Sequence, residues 1–381
     1  MRGSIRRKSK NSWQIQIYTG IGSDGKRRRH FETVRGRKGD AQRKLTELLT
    51  SLDKGVYTPP GKLTLAQHLN NWLDGYVKTN CSERTLGNYR SIVSHHFIPE
   101  LGHILLRQLT PQVIQSYYGK ACESLSAMTV LYHHRILKES LEYATRQGYL
   151  GRNPAGLVDP PKPRKKTMRT LTPEEVKTLL GAALGNQFYP VIYTAVSSGL
   201  RETELLGLRW RDIDLDLQSE KPKPSILVCQ ILYYKRRDEF EFKEPKTSHS
   251  KRRVNMTAKL ADYLREYKGT RESLFLHLGR LLKPDDLVFA GVEGIPFNPS
   301  VLRHNFTRIV KRAGLKNMRF HDLRHTFASL MLLRGAKPKV ISEALGHASV
   351  AFTLDTYGHI IEGMQEEAMT LLDEVLPPGE N

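Results

Sequence analysis

The sequence predicts a multidomain chain. A small β-sheet with one helix is followed by an all-α domain of four helices and by a mainly α domain with a small antiparallel sheet. Two segments, VYTPPGK (56–62) and DPPKPRKKTMRT (159–170), contain several prolines and are typical of linkers. Apolar residues alternate before the first linker and recur at helical spacing after it. The predicted domains are therefore 1–55, 63–158 and 171–376.

The first domain contains two strand patterns and one helix pattern. SWQIQIYTG (12–20) alternates strictly and KRRRHFETV (26–34) more weakly, and the SDGK between them predicts a hairpin turn. GDAQRKLTELLTSLDKG (39–55) predicts an amphipathic helix. GIGSDGKR (20–27) resembles a phosphate-binding Walker A loop. We reject it because Arg27 stands where Ser or Thr holds magnesium, and because the segment joins two strands.

The second domain is predicted to be a compact helical bundle. The adjacent pairs His95-His96 and His133-His134 point to different sides of their helices, so we expect surface residues and not metal ligands. The four predicted helices cover residues 64–77, 83–97, 111–122 and 127–150.

The third domain begins with a strong helix signal, Thr172 as the cap and Pro173 at the first helical position. A strand-rich stretch follows two further helices, and helices dominate after it. The predicted elements are helices near 189–198 and 202–208, strands within 225–232 and 251–256, and helices from about 257 to 376.

The charge of the chain is strongly unbalanced. Its 381 residues include 60 Lys and Arg against 39 Asp and Glu, for a net charge of +21 and a pI near 9.8. Residues 1–54 alone hold 15 basic and 5 acidic residues, a net of +10. A basic soluble chain of this kind typically binds nucleic acid. A membrane is a weaker alternative, because no apolar run approaches the roughly 20 residues of a span.

The cysteines and the start of the chain indicate a compartment. Cys81, Cys122 and Cys229 form no CxxC pair, which argues against a thiolate zinc site and a disulfide framework. The basic first residues lead into an alternating segment that offers no signal-peptide core. We therefore expect a protein of the reducing cytoplasm.

HDLRHTFAS (321–329) raises the question of function. In a helix, His321, Arg324 and His325 lie on one face, while Leu323 and Phe327 supply an apolar face. A solvated helix face would explain this pattern, and a histidine pair at i and i+4 could also share a metal ion.

Three other short stretches belong with HDLRHTFAS. In SSGLRETELLGLRW (197–210), Gly199 can end one helix and Arg201 opens the next, with Glu204 one turn away to orient its guanidinium. EPKTSHSKRRV (244–254) would place Lys246 at the tip of a hairpin. LGHASVAFTLDTYGHI (345–360) carries a histidine after a glycine and a tyrosine ten residues later.

Together, GLRETEL, PKTSHSKRRV, HDLRHTFAS and LGHASVAFTLDTYGH resemble the motif set of the tyrosine recombinases, the phage-integrase family. Each motif alone is weak, but all four stand in the family's order and near its spacing. The resemblance covers residues 64–376 and implies the tyrosine recombinase fold, with 63–158 as a SAM-like core-binding domain and 171–376 as the catalytic domain. Residues 1–55 resemble the arm-type DNA-binding domains of larger integrases.

The resemblance assigns a chemical role to each motif. In-line attack on a DNA phosphodiester builds negative charge that two guanidiniums can stabilise without a metal. Tyr357 would be the nucleophile, and Lys246 would protonate the departing 5′ oxygen. Of the two histidines that flank the arginines, either could accept the tyrosine proton. His325 and Arg252 are weaker candidates for the site. The predicted catalytic residues are Arg201, Lys246, His321, Arg324, His347 and Tyr357, supported by Glu204.

The implied activity is site-specific recombination for a phage or other mobile element, through a covalent 3′-phosphotyrosine and a Holliday junction. The implied partners are double-stranded DNA with core and arm sites, a homotetramer on that DNA, a host bending protein and a directionality factor. We expect no cofactor and no metal, and a bacterial cytoplasmic location. The acidic, amphipathic segment 361–376 would dock on a neighbouring subunit, or else on its own catalytic domain.

Three other functions use some of the same residue types. A type IB topoisomerase would use the same residue types but has no need of an arm-like first domain. A non-catalytic DNA-binding regulator would have lost at least one of Arg201, Lys246, Arg324 and Tyr357, and none is lost. A metallohydrolase built on the histidines lacks a nearby acidic ligand, since Asp322 is predicted on the other side of the helix.

Overall fold

A computed structural model of the chain divides into two compact units, residues 1–165 and 166–381. Each unit is described by itself. No helix within the described ranges combines the length and the apolar character that a membrane span needs. The structure describes residues 3–21, 27–53, 62–164, 168–215, 223–236, 239–245, 250–347 and 349–361.

The first unit opens with a three-stranded antiparallel sheet in the order β1-β2-β3. Helix α1 packs on this sheet. The elements are β1 (Gly3–Ser9), β2 (Ser12–Ile21), β3 (Arg27–Arg35) and α1 (Lys38–Asp53).

The alternation that predicted β2 reflects a one-sided core. Ile15 and Ile17 are fully buried and cluster with Ala41 and Leu45 of α1. The predictions of β2, β3 and the helix are confirmed. Strand β1 was missed because Ile5 is its only large apolar side chain among basic residues. The predicted hairpin turn lies outside the described residues.

The helical part of the first unit confirms the four predicted helical segments, two of which contain a π-helical stretch. Its core is a single apolar cluster that includes Trp72, Phe97 and Tyr118. The elements are α2 (Leu65–Trp72), π (Leu73–Val77), α3 (Lys78–Asn80), α4 (Glu83–Ile92), π (Val93–Phe97), α5 (Ile98–Leu101), α6 (Pro111–Ser124) and α7 (Ala127–Arg146), with 3₁₀ turns at Leu106–Gln108 and Pro154–Leu157.

The surface prediction for His133 and His134 is wrong. Both side chains are buried, and each accepts or donates a hydrogen bond at Nδ1 with a tyrosine hydroxyl, Tyr117 at 2.8 Å and Tyr118 at 2.9 Å. The tyrosines of α6 thus give Nδ1 of each buried imidazole a hydrogen-bond partner. Burial, with a smaller contribution from the nearby His96, lowers the pKa of His133 to about 4.

The described residues of the second unit are mainly helical and form two small antiparallel sheets, β4-β5-β8 and β6-β7. Helices α9 and α13 pack against each other, and α13, α14 and α15 also pack together. The elements are α8 (Pro173–Ala183), α9 (Tyr189–Ser198), α10 (Glu202–Leu206), a 3₁₀ turn (Trp210–Asp212), β4 (Ile213–Asp214), β5 (Ser225–Val228), β6 (Ile231–Arg236), β7 (Glu239–Lys243), β8 (Arg252–Asn255), α11 (Ala258–His277), α12 (Pro299–Arg312), α13 (Asp322–Leu333), α14 (Pro338–Leu345) and α15 (Val350–Ile361).

The sequence predicted the start of this unit well. Thr172 accepts from the backbone N–H of Glu175 and Glu175 accepts from Thr172 N, the predicted capping box. The single strand expected within 225–232 is two strands, because β6 leaves the first sheet to pair with β7. Strands β7 and β8 therefore do not form one hairpin. Lys246 lies outside the described residues, as do residues 362–376 of the acidic segment.

Candidate active site

A left-handed glycine separates the first site arginine from the preceding helix. Gly199 ends α9 with φ +66°, and a Cβ there would overlap the ring of Phe327. The chain then turns so that Arg201 precedes α10. Glu204 accepts from the backbone N of Arg201 at 2.8 Å and from its Nη1 at 2.7 Å. The predicted orientation of Arg201 by Glu204 is present.

Glu204 also binds a second arginine that the sequence ranked low. Arg252, at the start of β8, donates Nη1 to Glu204 Oε1 and Nη2 to Oε2, each at 3.0 Å. Burial opposes ionisation of Glu204, which is 2% exposed. The hydrogen bond and charge of Arg252, with the charge of Arg201, outweigh it and lower the pKa of Glu204 to about 2. The carboxylate is therefore ionised at neutral pH.

The second predicted phosphate ligand, Arg324, lies on α13 and is 4% exposed. It donates Nη1 to the Gly199 carbonyl at 2.8 Å and Nη2 to the Leu345 carbonyl at 2.5 Å. Burial, followed by repulsion from Arg201, lowers the pKa of Arg324 to about 9, so the guanidinium remains charged at neutral pH.

The C-terminal end of α14 gathers three arginines. Its last carbonyls have no partners within the helix, and Gly346 ends it at φ +64°. Arg252 Nε donates to Ala344 O at 2.6 Å, Arg324 Nη2 to Leu345 O, and Arg201 Nη2 to Gly346 O at 3.1 Å. Three consecutive carbonyls thus hold three guanidiniums beside His347, where the negative end of the helix dipole favours cations.

The two predicted histidines lie at the edges of this cluster. His347 pairs Nδ1 with the Thr353 hydroxyl at 2.8 Å, which fixes its ring. Burial and the charge of Arg324 lower the pKa of His347 to about 4. The side chain of His321 is exposed at the surface. Partial desolvation by the surrounding protein, with a smaller effect from the charge of Arg324, lowers its pKa. Both imidazoles are therefore neutral at pH 7.

The predicted nucleophile pairs with the histidine that the sequence ranked low. Tyr357 on α15 is 1% exposed, and its hydroxyl lies 2.7 Å from Nδ1 of His325. Burial raises the pKa of Tyr357 to about 12 against the opposing charge of Arg324. Burial also lowers the pKa of His325 to about 4, with His321 a smaller cause. A neutral His325 can therefore accept a hydrogen bond from the Tyr357 hydroxyl at Nδ1.

Within the described ranges, the structure brings the predicted residues together through shared carbonyls, Glu204 and the His325–Tyr357 contact. Asp322 is buried and accepts from Arg319, and so belongs to a cap rather than to the histidines. No group of three or more His, Cys, Asp or Glu in those ranges is placed to hold a metal ion. Sequence spacing ranked Arg252 and His325 low because their partners are distant in the chain.

Two family models match parts of this chain. The model of the phage integrase family matches residues 169–363, and that of the phage integrase N-terminal SAM-like domain matches 64–121. A tyrosine recombinase XerC-like protein of Caldanaerobacter subterraneus subsp. tengcongensis is 28% identical over 382 residues, which cover 96% of this chain and 97% of that protein.

Two solved structures have a similar fold. The Tn1549 transposon integrase in complex with a circular intermediate DNA matches with a TM-score of 0.69 and 21% identity, over 81% of this chain and 99% of that chain. A lambda integrase tetramer bound to a Holliday junction matches with a TM-score of 0.56 and 17% identity, over 91% of this chain and 95% of that chain. The chain belongs to the phage integrase family of tyrosine recombinases, and the matched range contains the whole site described above.

Proposed function

We propose that this protein is a site-specific DNA recombinase, an integrase of a phage or other mobile element. It cuts and rejoins double-stranded DNA through a covalent 3′-phosphotyrosine on Tyr357 and a Holliday junction. The observation that carries the proposal is the pair of guanidiniums, Arg201 and Arg324, held on consecutive carbonyls within the range that matches the integrase family.

The two guanidiniums suit a phosphodiester. Arg201 has 34% of its side chain exposed and so can meet a DNA phosphate, with Glu204 fixing its orientation. Arg324 is held more deeply, at 4% exposed, and two carbonyls anchor its guanidinium, so water screens its charge less than that of Arg201. Donors fixed in this way stabilise the charge that develops on the non-bridging oxygens without reorganising during the reaction.

Attack on phosphorus requires the phenol of Tyr357 to lose its proton. The sequence leaves His321 and His347 as candidate acceptors of this proton. The 2.7 Å contact between the Tyr357 hydroxyl and Nδ1 of His325 adds His325 as a third candidate. Arg324 also favours the phenolate, because its charge opposes the rise in the pKa of Tyr357. Lys246 is proposed as the acid that protonates the departing 5′ oxygen.

Each predicted domain has a proposed role. Residues 171–376 carry out catalysis, 63–158 bind the core site, and 1–55 bind arm sites through their basic sheet. The Arg-rich strands β1 and β3 flank β2 in a sheet of the size that enters a DNA groove. A homotetramer on DNA is proposed because the similar lambda integrase forms one on a Holliday junction. A host bending protein, a directionality factor and a bacterial cytoplasmic location complete the proposal.

A suicide substrate tests this function. A duplex site with a nick beside the scissile phosphate loses a short strand after cleavage and traps the covalent protein–DNA adduct. We expect the adduct to form in EDTA, with a free 5′ hydroxyl on the released strand. Cleavage that depends on a divalent metal would support the metallohydrolase alternative, and binding without any adduct would support the regulator.

A further inference from the structure

Three arginines surround Glu204 and the end of α14. Arg324 is the most buried of them, and Arg252 follows with 7% of its side chain exposed. Every nitrogen of its guanidinium has a partner. Nη1 and Nη2 bind both oxygens of Glu204, Nε binds Ala344 O, and Nη1 also donates to Ser250 O at 3.1 Å. A guanidinium used in this way is anchored and does not reach toward solvent.

The partners of Arg252 belong to three separate stretches of the chain. Glu204 lies on α10 and directly orients Arg201. Ala344 lies at the end of α14, three residues before His347. Ser250 directly follows the undescribed residues 246–249. One planar side chain therefore sets the spacing between the stretches that supply the proposed catalytic groups.

A single carboxylate serves both Arg201 and Arg252. Glu204 Oε1 accepts Nη1 of Arg201 at 2.7 Å and Nη1 of Arg252 at 3.0 Å. The bidentate geometry of Arg252 fixes the plane of the carboxylate, and that plane fixes the direction in which Arg201 points. Lysine would keep the positive charge but lose the fork.

We propose that Arg252 is a positioning residue for DNA cleavage, which acts through Glu204 to hold Arg201 on the scissile phosphate. This inference rests on the proposed recombinase function and deepens it. It assigns no contact between Arg252 and DNA. The expected consequence is that loss of the Arg252 fork lowers the rate of the chemical step and leaves DNA affinity unchanged.

The test compares Arg252→Lys with Arg253→Lys in the full-length protein. Arg253 is the adjacent residue on β8, has 57% of its side chain exposed, and does not contact Glu204. Single-turnover cleavage of the nicked site is measured with a normal phosphate and with a charge-neutral methylphosphonate at the scissile position. We expect Arg252→Lys to slow cleavage of the phosphate about 100-fold, since small misplacements of a catalytic group have effects of that size.

The methylphosphonate separates positioning from general structure. It carries no charge for Arg201 to neutralise, so the defect of Arg252→Lys should shrink by about tenfold or more on this substrate. Arg201→Lys should show the same recovery, and Arg253→Lys should behave as wild type on both substrates. Dissociation constants should agree among wild type, Arg252→Lys and Arg253→Lys.

Three results would overturn the inference. Wild-type cleavage by Arg252→Lys would show that the fork is dispensable, and an equal defect on both substrates would indicate a general loss of structure. Weaker DNA binding at an unchanged rate would make Arg252 a DNA-binding residue. If Arg252→Lys does not fold, Glu204→Gln combined with Arg252→Gln leaves no unpaired buried charge and should show the same recovery. Absence of adduct with wild type would instead refute the proposed function.

Discussion

The hydrogen bond between Tyr357 and His325 can be measured as a coupling free energy. Tyr357→Phe removes the hydroxyl and leaves a buried imidazole nitrogen without its partner, while His325→Leu leaves a buried hydroxyl. Each change should lower the free energy of unfolding by about 1–3 kcal/mol, the cost of leaving a buried polar group unsatisfied. The double variant replaces both partners with apolar groups, so it should cost clearly less than the sum.

The measurement is urea unfolding of the full-length chain, followed by hydrogen exchange in peptides from residues 168–361 so that the second unit is observed separately. We expect a coupling of at least about 1 kcal/mol. Tyr357→Phe combined with His277→Leu is the matched control and should be additive, because His277 is exposed at the end of α11. Additivity of the Tyr357 and His325 changes within about 0.3 kcal/mol would refute the contact.

Three further predictions concern the phosphate ligands, the first domain and the buried histidines. Arg201→Lys and Arg324→Lys should each slow cleavage of a suicide substrate far more than Arg253→Lys does, because a point charge does not replace the planar fork; rates within a few-fold of wild type would show that the residue does not bind the phosphate. Removal of residues 1–56 should spare cleavage at a core site, abolish a separate arm-site footprint and flatten the salt dependence of affinity, because fewer phosphates are neutralised; an unchanged footprint and salt slope in binding assays would contradict this role. Burial lowers the pKa of His133 from 6.5 to about 4, so between these pH values the unfolded chain binds more protons than the folded chain. The free energy of unfolding should therefore fall as the pH drops from about 6.5 to 4, by up to about 1.4 kcal/mol per pH unit. Urea unfolding of His133→Gln should show a weaker dependence of this free energy on pH, and an unchanged dependence would contradict the assignment.

The sequence predicted those features that depend on interactions between residues close together in the chain. Gly199, Arg201 and Glu204 lie within six residues, and a helix turn alone brings the carboxylate to the guanidinium. The capping box at Thr172 and the alternation in β2 are equally local. For such features the spacing of residues along the chain is enough to predict the contact.

The sequence patterns did not predict contacts between residues that are far apart in the chain. Arg252 meets Glu204 across 48 residues, and His325 meets Tyr357 across 32. Spacing along one helix gives no information about a partner on another element, so both residues ranked low. His133 was misplaced for the same reason, since the tyrosine that hydrogen-bonds to its Nδ1 comes from α6.

The sheets show a second limit. The apolar run within 225–232 predicted one strand, but its second half pairs with β7 in a separate sheet. Periodicity identifies a buried strand and does not say which neighbour it pairs with. Strand β1 shows that a strand can also form without an apolar pattern. Its backbone pairs with β2, while most of its large side chains are basic.

The most direct test of the central proposal is to identify the residue that becomes joined to DNA. Wild-type protein is trapped on a nicked site in EDTA, digested with protease and nuclease, and sequenced by mass spectrometry. We predict a nucleotide on Tyr357 alone, joined through its 3′ phosphate, and no adduct for Tyr357→Phe at unchanged DNA affinity. An adduct on any other of the 16 tyrosines, or one that persists in Tyr357→Phe, would contradict the assignment.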